Sequence, residues 1–95
     1  MNTANLQLEG LLIALARVLS TLERRGGLPE GAIDEALAEA EVAVRRDLAA
    51  RNVSAAEAEA VRFPIAFLRA AARDGDGGFQ AVASAVGRAR DRGRG

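Results

Sequence analysis

At 95 residues and 9.9 kDa the chain has the size of one small domain. Thirteen Arg balance thirteen acidic residues, and Lys, His, Cys, Trp and Tyr are all absent. That roster removes thiol and imidazole chemistry, the usual zinc, haem and iron–sulfur ligands, and lysine-based Schiff-base or phosphate chemistry.

Apolar residues make up 49% of the chain, and 22 of them are Ala. Ala favours helix, while β-branched and aromatic residues are too sparse for a sheet, so the composition predicts an all-α fold. The large apolar residues (Leu, Ile, Val and Phe) number 24, and nine of those fall between Leu6 and Leu22. Arg without Lys, beside abundant Ala and Gly, reads as genomic base composition and carries no functional weight.

The first helix is predicted from about Leu6 to Arg25, with Asn5 or Thr3 as N-cap and Gly26 just past its end. Leu8, Leu11, Leu12, Leu15, Val18, Leu19 and Leu22 recur at spacings of three and four. They are expected to form its core stripe. Leu6 and Ile13 lie one heptad apart on the other side, beside Arg17 and Ser20, so Leu6, Ile13 and Arg17 are the candidate partner-facing surface.

A second helix is expected after Gly26-Gly27-Leu28, with Pro29 in its first turn and Glu30, Asp34 and Glu35 at the positive end of its dipole. Its core stripe is Ile33, Leu37, Ala40, Val44 and Leu48; Arg45, Arg46 and Arg51 suit its negative end. Ser54-Ala55-Ala56-Glu57 is a capping box that opens a third helix. Pro64 is expected to kink or restart that helix at Phe63-Pro64. Val61, Ile65 and Leu68 should face inward, with Phe63 and Phe67 flanking them, up to about Arg73. A short, thin fourth helix is expected from Phe79 to about Arg88.

The reading is a small bundle of three main helices plus a short C-terminal one, occupying residues 1–87 with the first helix at its centre. Residues 88–95 form a flexible basic tail that carries Arg88, Arg90, Arg92 and Arg94 against Asp91. The longest uncharged apolar stretch, Gly10 to Ala16, falls far short of the roughly 20 residues of a membrane span. Neither a spanning segment nor a signal peptide is expected, and a cytoplasmic location follows as an expectation.

Several fragments of motifs stop short of a site. Asp74-Gly75-Asp76-Gly77-Gly78 opens like a calcium loop but has Ala85 at the twelfth position, where a Glu is needed. Leu48 to Ser54 is similar to the turn of a DNA-binding helix-turn-helix, yet the helix that follows opens with Glu57 and Glu59 against a polyanion. The hydroxyls of Ser20, Ser54, Ser84, Thr3 and Thr21 have no His or Lys to activate them. No catalytic, cofactor-binding or metal residues are expected, and no enzyme.

Asn5-Leu6-Gln7-Leu8-Glu9-Gly10-Leu11-Leu12 and Phe63-Pro64-Ile65-Ala66-Phe67-Leu68 resemble segments of short, functionally uncharacterised bacterial all-helical proteins. Gly27 to Asp34 resembles their turn-into-helix segment, with Gly31 where a helix former is expected. The resemblance covers about residues 5–70 and implies a helical domain and no activity. The expected function is a non-catalytic helical protein–protein interaction module, homodimeric or bound to another protein. The alternative is a nucleic-acid-associated protein that uses the Arg tail, a net +3 against −3 for residues 1–87.

Overall fold

The computed structural model describes residues 3–74 and 82–88, and the regular structure among them is entirely helical. Helix α1 runs Thr3–Arg24, α2 Ala32–Arg51 and α3 Ala55–Asp74; a fourth helical segment, α4, covers 82–88. The all-α class expected from composition is what the chain adopts.

Helix α1 begins three residues before Leu6, so Asn5 lies inside it and is not its cap. It stops where the sequence supplies glycine. Gly26 takes φ +79°, its N–H bonds to the Glu23 carbonyl at 3.2 Å, and the Gly27 N–H bonds to the Leu22 carbonyl at 2.8 Å. This paired closure satisfies carbonyls that a helix end otherwise leaves bare.

The start of α2 departs from expectation. Pro29 is outside the helix, in a turn closed by the Ala32 N–H on the Pro29 carbonyl at 3.1 Å. Gly31 is the cap residue, at φ +85° and ψ −7°. A left-handed backbone here is open to Gly at little conformational cost, which explains the glycine that looked out of place in a helix. Its N–H is taken by the Glu23 carboxylate of α1 at 3.0 Å, so α1 holds the entrance of α2 across the turn. Asn52, at φ 54°, closes the other end of α2.

Before α3, the capping box forms as the sequence reads. The Ser54 N–H donates to Glu57 Oε1, and the Glu57 N–H donates to Ser54 Oγ, both at 3.1 Å. The helix then runs through Pro64 without a break, so of the expected kink or restart the restart does not occur. A proline inside a helix costs about 3 kcal/mol. Breaking α3 there would unseat Phe67 and Leu68, and losing one large core side chain alone costs about 3–5 kcal/mol.

Packing places α3, not α1, at the centre: α3 packs against both α2 and α1, while α1 and α2 barely touch. The core cluster is Leu12 of α1, Phe67 and Leu68 of α3, and Val82 of α4. Phe67 is completely buried, and the Phe63 ring lies 6.0 Å from it at a 47° tilt. The expected inward face of α3 is therefore rotated: Val61 is exposed, and the aromatic pair forms the centre. In α2 the expected stripe does face inward, with Ile33 and Leu48 buried and Leu37, Ala40 and Val44 half-buried.

Candidate interaction surface

The two faces of α1 are exchanged relative to expectation. Of the predicted core stripe, Leu12 is buried and Leu19 half-buried. The other five residues face outward, Leu8 42% exposed, Leu11 62%, Leu15 39%, Val18 56% and Leu22 45%. Ile13, assigned to the partner-facing side, packs against the core cluster and with Arg17 and Ser20 lines a cleft toward Phe67 and Val82. Leu6 is 49% exposed and Arg17 is exposed, so Leu6, Ile13 and Arg17 do not make one outward surface.

The exposed five form a stripe with a specific geometry. Leu8, Leu11, Leu15, Val18 and Leu22 are spaced three, four, three and four, the a/d pattern of a coiled-coil seam. At about 100° per residue they fall within an arc of about 80°, and Leu8 to Leu22 spans about 21 Å along the axis. Glu9 and Arg17 lie on the opposite side of the helix, while Arg24 reaches back to Thr21 Oγ1 at 3.2 Å. Gln7, Ala14 and Thr21 border the seam on its free side, uncharged and mostly small. Together the five side chains expose on the order of 400 Å² of apolar surface, a size that on single chains marks binding sites.

A second feature, absent from the sequence reading, ties α2 to α3. Arg69 Nε donates to Asp34 Oδ1 at 3.0 Å, its Nη2 to Asp34 Oδ2 at 3.4 Å, and its Nη1 to Glu41 Oε2 at 3.0 Å. Arg73 adds a 3.7 Å ion pair to the same Asp34 oxygen. The hydrogen bond from Arg69, aided by the positive charge of Arg69 and Arg73, holds the Asp34 carboxyl below the usual carboxylate range despite some desolvation. The same hydrogen bond raises the Arg69 guanidinium above its ordinary value. One N–H on each of the three guanidinium nitrogens goes to a carboxylate of the chain itself, so this cluster clamps two helices.

Two clefts among the described residues, one beside Ile13 and Phe67 and one beside Leu19 and Leu68, each hold about 20 Å³, the space of a single water. Substrate and cofactor sites occupy roughly 300–1,000 Å³. Among the described residues no three acidic side chains gather as a metal site. Of the four Arg of the proposed tail, Arg88 is exposed at the end of α4, and Arg90, Arg92 and Arg94 lie outside the described residues. The calcium-like segment after Asp74 and Phe79 also lie outside them.

By length and composition α1 is long and apolar enough to cross a bilayer. The count of uncharged residues stopped at Glu9 and Arg17, whereas a spanning helix tolerates a charge or two. In the fold, however, the Leu12, Ile13 and Ala16 side of α1 is covered by the core cluster, and the five-residue seam is what remains bare. No protein-family model, curated protein or solved structure matches the chain, and the resemblance to short bacterial helical proteins draws no support from them.

Proposed function

We propose that this protein is a non-catalytic helical interaction module that self-associates through the outward seam of α1, a second copy being the occupant. The observation that carries this reading is the row of five exposed large apolar side chains at heptad spacing. A helix lying on a membrane usually flanks a broad apolar arc with basic residues. Here the arc is narrow, Gln7 and Ala14 on its free flank are uncharged, and a cation reaches that flank at its C-terminal end, where Arg24 Nη2 donates to Thr21 Oγ1 at 3.2 Å. A seam of this width accepts one helix of the same geometry, and the nearest such helix is another α1.

Two stripes of about 400 Å² each bring about 800 Å² of apolar surface together, and with their borders the contact approaches the roughly 1,000 Å² that a specific interface needs. The cytoplasm, where a bare apolar seam meets other proteins and not lipid, is the location proposed with this reading.

Leu15→Glu tests it, because Leu15 sits at the middle of the seam and away from the core cluster. Sedimentation velocity should show the native chain at about twice the mass of the variant, with equal helicity by circular dichroism. A variant as large as the native chain would place the contact elsewhere.

A further inference from the structure

The self-association proposed above leaves open how the two α1 helices run, and the residues along the seam decide it. In heptad terms Leu8, Leu15 and Leu22 occupy a, while Ala4, Leu11 and Val18 occupy d. Continuing the same register, the next d position is Arg25, one residue beyond the end of α1. A parallel, in-register pair sets Arg25 against Arg25 of the second copy. It also gathers Arg24 of both copies and the two like helix poles at one end. Parallel two-stranded coils moreover favour β-branched residues at a, and here a is Leu three times over.

From these placements we infer that the two α1 helices pair antiparallel, with Leu11 facing Leu15 of the second copy. In this register Leu8 meets Val18 and Ala4 meets Leu22, each in both directions. Every layer is apolar, a small residue is matched to a large one at the ends, and Arg25 falls outside the seam. Opposite poles of the two helix dipoles lie side by side. The bordering residues then pair Ala14 with Ala14 at the centre and Gln7 with Thr21 toward each end. The small Ala14 beside the crossing point lets the helices approach closely.

The chain contains no cysteine, so single-cysteine variants can be labelled without removing any native residue of that type. Gln7→Cys, Ala14→Cys and Thr21→Cys, each carrying a nitroxide, place one label per copy on the border of the seam. Electron–electron dipolar distances follow from a rise of about 1.5 Å per residue. Antiparallel pairing separates the two labels along the axis by about 3 Å at position 14, about 18 Å at position 7 and about 24 Å at position 21. The expected pattern is short at 14 and long at 7 and 21. Three equal, short distances would show a parallel pair, overturning the orientation while leaving self-association standing. The absence of any dipolar distance in labelled chains sedimenting at monomer mass would overturn both. The same holds for a monomer that binds phosphatidylcholine vesicles instead, since lipid would then be the occupant of the seam.

Discussion

Arg69 is half-buried between two carboxylates contributed by α2, and what it does follows from where those charges sit. Asp34 is legible in the sequence as a negative charge in the first turn of α2, suited to the helix dipole. Its partner is not legible, because Arg69 lies 35 residues away and only the docking of α3 on α2 brings the two together. Replacing Arg69 by Met keeps a similar stem and removes the charge, leaving Glu41 without this partner and Asp34 with the 3.7 Å pair to Arg73 alone. We expect a loss of about 1–2 kcal/mol after allowance for solvent screening, read in urea melts. The pH dependence has a definite sign. Asp34 titrates near pH 4 when unfolded and lower when folded, so its contribution is full above about pH 4 and lost as pH falls through the folded value. Native protein should therefore lose more stability between pH 5 and 2, roughly, than Arg69→Met does. Equal acid sensitivity in both would show that the clamp contributes nothing in solution.

The start of α3 and the close of α1 were legible, the starts of α1 and α2 were not, and the inward face of α1 was the least legible feature. The capping box at Ser54 and the glycine closure of α1 are set by local backbone chemistry, which a few residues suffice to specify. The stripe of α1 was equally visible as periodicity, but periodicity locates a face without saying what covers it. With Leu8 to Leu22 on one side and Ile13 and Ala16 on another, α1 is apolar around much of its circumference. Phe63 and Phe67 resolved the ambiguity by making α3 the centre, and α1 met them with its Leu12, Ile13 and Ala16 side. Gly31 was legible as an oddity and became explicable only once its φ of +85° was seen. Two glycines give a prediction of opposite sign at this scale. Gly10 is helical with no atom within 4 Å of an added methyl, so Gly10→Ala should stabilise by about 0.5–1 kcal/mol. Gly31 has equally open space but a left-handed backbone, so Gly31→Ala should destabilise by about 1–2 kcal/mol. Thermal melts of the two variants, shifting up and down respectively, check whether backbone conformation and not crowding governs these positions.

For the whole molecule, the buried set is small: Leu12, Ile33, Leu48, Phe67, Leu68 and Val82 among the described residues. The largest concentration of apolar residues in the sequence, on α1, is mostly spent outside that core. A chain of this length buries a limited fraction of its surface on its own, and a second copy is a direct means of burying more. Folding and assembly are then linked: stability should rise with protein concentration in the native chain and become independent of it in Leu15→Glu. The all-α class was legible from Ala content and the scarcity of strand formers, while the interaction surface was not, because its identity depends on which face α3 leaves uncovered. The most direct test of the central claim is the light-scattering mass of the purified full chain at low and high salt. A mass near twice 9.9 kDa that persists in high salt is the predicted result, since an uncharged seam has no ion pairs to screen. A mass of 9.9 kDa under both conditions, or a dimer that dissolves as salt rises, would contradict it.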